Sequence, residues 1–566
     1  MTSITNQNKL KVLVVSEASF LSSGFSIYIK EILSRLYKTQ KYELAELACY
    51  GMVNDPRDKE IPWKYYANAV REDDPRYNDY MSRTDNQFGR WRFEKVLLDF
   101  RPDIVIDIRD YWMSAYQALS PLRNYFHWIL MPTVDSAPQQ EEWIDTFLSA
   151  DSVFTYSDWG ADVLKNQSSN KIKYIDTVSP GVDLSVFKSR SLSEKLDIRT
   201  ALGIPKDAVL FGSVMRNQKR KLIPELICSF RKAIDALEKS DPKLGSCLYL
   251  YLHTSYPDAG WDIPELLKEH RLANRVLFTY LCKRCGHVKS NVYSGPLTVC
   301  PKCLEKAMGF SSVTNGISSE HLSLIYSSFD AYIQYSICEG FGCPQTEAGA
   351  CGLPIITVNY SAMCDIIKYL GAIGIEPSSF FKELETKAIR VYPNNNQLAQ
   401  EIINLASMDK NKRSNIGKQI RELTEKYYNW DNIAKKWEKH LDHLSQTYRS
   451  DWNKSPSYLR KDNLNAKISS DQHLNAIMDI CKNHLGQPDM AVSMQMLTML
   501  QNADYGFSVH GTNIHKHDYK DIIDFANTIV DNINQSENAR SSNIKFNDDF
   551  IEYASIKSKT TNNINI

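Results

Sequence analysis

The chain has 566 residues, 43% of them apolar, and 67 lysines and arginines balance 67 aspartates and glutamates. That length exceeds one ordinary domain and supports two or three. A formal charge of zero excludes a global electrostatic drive toward nucleic acid or an anionic membrane.

No apolar run reaches the length of a membrane span. Residues 1–8 show no positive region followed by an apolar core, so a cytoplasmic protein with no transmembrane segment is expected. Of the 12 cysteines, four form a pair of CxxC motifs and the others are scattered. This points to a reducing compartment with one metal site, not to a disulfide framework.

In chain order, residues 10–15 read as a buried strand. Ser22-Ser23-Gly24 then precedes a helix whose apolar positions Phe25, Ile29, Ile32, Leu33 and Leu36 share a face. Residues 102–108 and 126–131 read as further central strands with helical patterns between them, which implies a parallel sheet. Their carboxyl ends deliver Asp110 and Asp135 to one rim. His127 lies inside a strand pattern and is read as a core histidine. Residues 152–157 close the sheet, giving a first domain of 1–190.

A charged crossing leads to a second domain of 205–425. Its first strand, 209–214, ends in a basic turn carrying Arg216, Lys219, Arg220 and Lys221, followed by a helix. Residues 248–252 and 275–280 are two more strands.

Residues 281–310 then form an insert. Cys282 and Cys285, with Cys300 and Cys303 about fourteen residues on, suit four thiolates around one tetrahedral zinc, with Gly286 and Pro301 in knuckle positions. A site closed by four thiolates has no open position, so the metal is expected to hold the insert folded and not to catalyse. The ribbon's five basic residues, set against one acid and a dianionic metal site, sum to about plus two, a weak patch, and a brace is favoured over nucleic-acid recognition.

The central stretch is 338–354. A strand at 331–335, a glycine turn, a short helix and a strand at 354–358 place Glu339 at a strand's carboxyl end and Glu347 in the helix's first turn. Open parallel sheets bind ligands there. Gly340 and Gly342 let backbone N–H groups approach a ligand, and the helix N-terminus favours phosphate.

Two glutamates spaced as in EGFGCPQTE, overlapped by EAGACGLP, resemble the signature of retaining GT-B glycosyltransferases of family 4, the glycosyl transferases group 1. The resemblance implies that Glu339 contacts the donor sugar and Glu347 the ribose of the nucleotide. Gly24, Gly340, Phe341, Gly342 and Cys343 line the donor. Arg216 and Lys221 clamp the leaving diphosphate, with Arg220 the competing choice. Asp110 and Asp135 take the acceptor side, where many relatives show a histidine, and Asp135 joins Glu339, Arg216 and Lys221 as a catalytic candidate. No catalytic metal is expected.

The resemblance covers 10–445 apart from the ribbon, including a closing helix at 426–446, marked by Trp430 and Trp437, that returns to the first domain. Residues 447–534 read as a polar linker and helical appendage, with Leu474, Ile477, Met478, Cys481 and Leu485 on one helix face. The Asn- and Ser-rich tail 535–566 reads as disordered.

The expected fold is α/β: a GT-B pair of Rossmann-like domains facing a cleft, with a zinc-ribbon insert and a helical C-terminal extension. The expected function is retaining transfer of a hexosyl or pentosyl group from a nucleoside diphosphate sugar to an acceptor hydroxyl. The acceptor class, whether saccharide, lipid-linked, protein or DNA base, is left open. One alternative is a glycosyltransferase acting on a hydroxylated DNA base, gripped by the ribbon and the aromatic-basic linker. Another is a non-catalytic scaffold braced by zinc. Zero net charge weighs against the first, and the joint presence of Glu339, Glu347, Arg216 and Lys221 against the second.

Overall fold

The computed structural model describes residues 9–450, apart from 121, 313–315 and 449, together with 452. The predicted appendage helices and the tail lie outside the described residues.

Two sheets organise the described chain. The first has seven parallel strands in the order Lys64–Ala69, Tyr42–Met52, Leu10–Glu17, Ile104–Ile108, His127–Met131, Ser152–Thr155 and Ile175–Thr177. Ile104–Ile108 is buried at every residue, as a strand covered on both faces must be. Helix Gly24–Thr39 buries Tyr28, Ile29, Ile32, Leu33 and Leu36, and the Ser23 hydroxyl caps its start by accepting from Ser26 N at 3.1 Å.

Tyr42–Met52 and Lys64–Ala69 are strands the sequence pattern did not indicate. Charged residues interrupt the apolar run of the former. One of them, Glu46, is buried beneath Trp63 Nε1 and Ser19 Oγ, each donating to it at 3.2 Å. A strand can carry a buried carboxylate only when tertiary partners satisfy it.

The second sheet has a parallel core in the order Val276–Cys282, Leu248–His253, Val209–Val214, Ala331–Gln334, Ile355–Val358 and Ile373–Ile375. The domain's first strand lies in the middle and the chain winds outward on both sides. This creates a topological switch point between Val209–Val214 and Ala331–Gln334.

The ribbon is an extension of this sheet. Val288–Val292 and Met308–Phe310 both pair antiparallel with Val276–Cys282, and Leu297–Thr298 pairs with Met308–Phe310. A separate hairpin, Pro377–Lys382 with Ile389–Pro393, reaches the first domain, where Ile389 N donates to Ala137 O at 2.8 Å.

The closing helix Trp430–Thr447 packs on the first domain. Trp437 is fully buried, its ring centroid 4.7 Å from that of Phe154, and its Nε1 donates to the Tyr28 hydroxyl at 2.9 Å. No described helix is long and apolar enough to cross a membrane.

Trp437, with Trp430, joins helix Trp430–Thr447 to the first domain. Replacing Trp437 with alanine leaves a cavity and removes one of the Tyr28 hydroxyl's two hydrogen bonds, the other being its donation to Val178 O at 3.0 Å, with an expected loss of about 3–5 kcal/mol in a urea denaturation series on the purified chain.

Candidate active site

The switch point is occupied by Glu339. Its carboxylate is buried, with 5% of the side chain exposed. Oε1 accepts from Lys221 Nζ, from Gln334 Nε2 at 2.7 Å and from Ser336 Oγ at 2.9 Å, and Oε2 accepts from Arg220 Nη1 at 3.0 Å. Its backbone N–H donates to Ser361 Oγ at 2.9 Å. Burial alone would raise the Glu339 carboxyl, but the charges of Lys221 and Arg220 with these hydrogen bonds outweigh it and hold the group at about 2.

Two cations against one carboxylate leave a local excess of positive charge. Lys221 is buried at 9% side-chain exposure, whereas Arg220 is 42% exposed and presents its remaining donors outward.

The backbone around the basic turn explains which cations reach Glu339. Ile337 N donates to Arg220 O at 3.0 Å and Leu222 N to Tyr335 O at 3.2 Å, so the turn is stitched to the segment that leads into Glu339. Arg216 lies on the turn's outer edge, where its guanidinium forms a two-point pair with Asp258 at 2.8 and 2.9 Å. The structure thus brings Arg220 and Lys221 to Glu339 and places Arg216 elsewhere.

After Glu339 the chain passes Gly340, where a methyl group would lie 2.4 Å from Thr133 Cγ2 of the first domain. Only glycine lets the two domains meet at this point. Phe341 is buried, its ring 5.5 Å from that of Tyr428. Gly342 adopts φ +87 and caps helix Cys343–Ala350.

Because the helix starts at Cys343, Glu347 is its fifth residue. It falls in the second turn and not in the first, as expected from sequence. The left-handed cap at Gly342 sets this register. Glu347 Oε2 accepts from the Tyr326 hydroxyl at 2.8 Å, and burial pushes its carboxyl up to about 7 against that hydrogen bond.

On the first domain, Glu17, Asp110 and Asp135 stand at or just past the carboxyl ends of Leu10–Glu17, Ile104–Ile108 and His127–Met131, three adjacent strands. Burial raises the Asp110 carboxyl, the neighbouring Asp135 and Glu17 add to the effect, and Thr133 and Arg220 oppose it. Asp135 touches the second domain directly. Its Oδ1 accepts from Arg390 Nη1 at 2.9 Å and its Oδ2 lies 3.4 Å from Cys338 Sγ.

Gly24 opens the 16-residue helix with nothing within 4 Å of where a methyl group would sit. His127 hydrogen-bonds Ser152 Oγ at 2.9 Å, and burial lowers its pKa to about 4.

Several supporting residues escaped the sequence reading. Tyr326 holds Glu347 from another helix, and Arg390 comes from the hairpin. No local pattern connects either to the site. Glu17 and Ser336 were closer to legible, the first as the polar end of a strand and the second as a hydroxyl three residues before Glu339.

Away from the cleft, Cys282, Cys285, Cys300 and Cys303 bring their four sulfurs within 4.8 Å of one another, with Cys282–Cys303 at 3.6 Å and Cys285–Cys300 at 3.7 Å. A tetrahedron with zinc–sulfur bonds of about 2.3 Å has edges of about 3.8 Å, so the donor set fits a tetrathiolate metal site. Backbone N–H groups turn at both knuckles, Gly286 N donating to Cys282 O and Leu304 N to Cys300 O, each at 2.9 Å.

With this geometry in view, residues 311–423 match the family model described as glycosyl transferases group 1. The chain is 25% identical over 217 residues to a D-inositol 3-phosphate glycosyltransferase of Saccharomonospora viridis, covering 38% of this chain. The match spans 41% of that curated relative's length.

Solved structures share the architecture. A sucrose-phosphate synthase from Thermosynechococcus elongatus superposes with a TM-score of 0.57 at 16% identity, over 78% of this chain and 100% of its own. A glycosyltransferase from Rickettsia africae gives 0.52 at 15%, over 78% and 98%. HepE from Anabaena in complex with UDP-glucose gives 0.51 at 13%, over 77% and 100%. The fold is GT-B-like, and residues 311–423 within its second domain match the glycosyl transferases group 1 model.

Two measurements test the site. Removing the Glu339 charge leaves Lys221 buried without a counter-ion, so Glu339→Gln is expected to cost about 3–5 kcal/mol, most of it recovered in the Glu339→Gln/Lys221→Met double variant. A stable single variant in the denaturation cycle would contradict the coupling.

The second concerns pH. A carboxyl raised from 4.5 to about 7 on folding binds its proton more tightly in the folded state. Its contribution to stability is complete below pH 4.5 and is lost as pH rises through about 7. The unfolding free energy of wild type minus that of Glu347→Gln should therefore fall across that window and level off above it. A pH-independent difference would rule this out.

Proposed function

We propose that the chain is a retaining glycosyltransferase that transfers a sugar from a nucleoside diphosphate sugar to an acceptor hydroxyl. The observation that carries this reading is the pairing of Glu339 with Arg220 and Lys221 at the switch point, one turn of chain from the half-buried Glu347.

In this reading the diphosphate meets Arg220, Lys221 and the backbone N–H groups at the start of helix Cys343–Ala350, where a helix N-terminus favours anionic oxygens. Glu347, steadied by Tyr326, takes the ribose hydroxyls. Glu339, acidic and already accepting four hydrogen bonds, is a poor base and a poor nucleophile. Its role is to receive donor-sugar hydroxyls and to fix the two cations.

As the bond from the anomeric carbon to the diphosphate breaks, its electron pair passes to the leaving phosphate oxygen. Arg220 and Lys221 stabilise that charge from fixed positions, where such stabilisation contributes most. The acceptor oxygen approaches on the same face, and its proton passes to the leaving diphosphate. The clamp is assigned to Arg220 and Lys221, with Arg216 supporting the turn from its outer edge through Asp258. The acceptor enters between Glu17, Asp110 and Asp135.

Cys282, Cys285, Cys300 and Cys303 hold one structural zinc, which in a closed four-thiolate site takes no part in the transfer. A reducing cytoplasmic setting fits these thiolates and the free cysteines elsewhere in the chain. Arg284 of the ribbon lies 3.8 Å from Glu305, which reduces an already weak basic patch and favours this reading over a nucleic-acid acceptor.

The test is binding and hydrolysis of UDP-, GDP-, ADP-, CDP- and dTDP-sugars by wild type, Glu347→Ala and Arg220→Ala. We expect one nucleotide to be selected, with affinity falling about tenfold or more, on the order of 1.4 kcal/mol, in each variant. Folded wild type that binds none of the five would sink the reading.

A further inference from the structure

The ribbon occupies a position that a plain surface insert would not need. Two of its cysteines, Cys282 and Cys300, belong to the same buried cluster as Met215, Leu222 and Ile223, which flank the basic turn. The ribbon reaches that turn through a layer of aromatic rings. Phe310, on the ribbon's last strand, lies 4.9 Å from Tyr280 and 5.9 Å from Tyr256, and Tyr293 lies 6.1 Å from Tyr256.

Tyr256 lies near the start of the loop 254–262, and that loop contacts the basic turn on its other side. Asn217 Nδ2 donates to Trp261 O at 2.9 Å and Trp261 N returns to Asn217 Oδ1 at 2.8 Å. Trp261 Nε1 donates to Lys221 O at 3.0 Å, and Asp258 holds Arg216. A methyl group at Gly260 would lie 2.2 Å from Asn217 Oδ1, so the two loops are in close contact along their length.

The metal site and the aromatic layer share a strand. Cys282 pairs with Met308, and two residues earlier Tyr280 pairs with Phe310. With metal bound the four thiolates are drawn to one centre; without it they repel one another, and only backbone hydrogen bonds such as Gly286 N to Cys282 O and Leu304 N to Cys300 O remain to turn the knuckles. Loss of the metal therefore frays the ladder from Cys282 inward, toward the ring that supports Tyr256.

We propose that the zinc ribbon is a brace for the donor-phosphate turn: through Phe310, Tyr256 and Trp261 it positions Arg216, Arg220 and Lys221, so that metal occupancy sets nucleotide affinity. This rests on the glycosyltransferase reading for the identity of the ligand, but not for the mechanical coupling. Tyr256 and Phe310 are positioning residues that touch no substrate.

The experiment follows amide hydrogen exchange in the full chain, zinc-loaded and after chelation, beside the Tyr256→Ala and Tyr256→Phe variants. Zinc content and binding of UDP, GDP and ADP are measured on the same samples. The loaded chain should carry one zinc. Chelation should raise exchange at least tenfold in 254–262 and 215–222 and leave 395–420 unchanged. Tyr256→Ala should reproduce that loosening with zinc retained, Tyr256→Phe should not, and nucleotide affinity should fall at least tenfold wherever the turn loosens.

A chain without metal, or exchange that rises only within 282–310, would overturn the brace, and so would a Tyr256→Ala variant whose basic turn stays protected. Coupled loosening in a wild type that binds no nucleotide would sink the donor reading and leave the brace standing. Nucleotide binding indifferent to zinc and to Tyr256→Ala would do the reverse.

Discussion

A carboxylate sealed at the centre of a parallel sheet is unstable unless the chain supplies both countercharge and hydrogen bonds, and Glu339 has both. Lys221 and Arg220 arrive from the turn after the sheet's first strand, while Gln334 ends the strand Ala331–Gln334 and Ser336 lies on the segment leading from it to Glu339. Backbone bonds from Ile337 to Arg220 and from Leu222 to Tyr335 hold the turn on either side of Lys221. Desolvating three charges together is costly, and replacing such a group with apolar side chains is often neutral for stability. The arrangement makes sense as a preorganised electrostatic site. Its carboxylate is fixed by four donors, and in turn it fixes the two cations.

The same logic explains the layers behind the site. The turn that carries the cations has no regular secondary structure of its own between Val214 and Ile223, so its rigidity comes from neighbours. On one side it is bonded to the Glu339 segment, and on the other to the loop 254–262, which leans on the ribbon's aromatic rings. The first domain approaches from the opposite face, through Thr133 against Gly340 and Asp135 against Arg390. Precision at the cleft is thus assembled from elements scattered across the second domain and from one edge of the first.

The contrast between Glu339 and Glu347 shows how environment divides roles among identical groups. Two charged donors hold the first ionised far below its ordinary range. The second has a single neutral phenol as partner and is pushed up to about 7. Burial acts on both in the same direction, and the difference is the neighbouring charge.

By itself the sequence determined whatever depends on short-range spacing. Glycines, a proline and two glutamates within one strand–turn–helix unit marked the carboxyl end of the second sheet's strand Ala331–Gln334 and the helix Cys343–Ala350 that follows it. Two CxxC pairs marked a four-cysteine cluster, because each pair closes a knuckle locally and only the meeting of the two is left to the fold. Alternating strand and helix patterns gave the doubly wound architecture for the same reason.

Tertiary structure decided what depends on direction and distance. Whether Arg216, Arg220 or Lys221 reaches Glu339 depends on how an irregular turn is tied to residues more than a hundred positions away. Glu347 moved into the second helical turn because Gly342 took a left-handed conformation, and its partner Tyr326 sits on a different helix. The strand Tyr42–Met52 was hidden by charged residues, one of which, the buried Glu46, is satisfied by Trp63 and Ser19. Local pattern fixes which chemistry is present, and long-range packing fixes which of those groups meet.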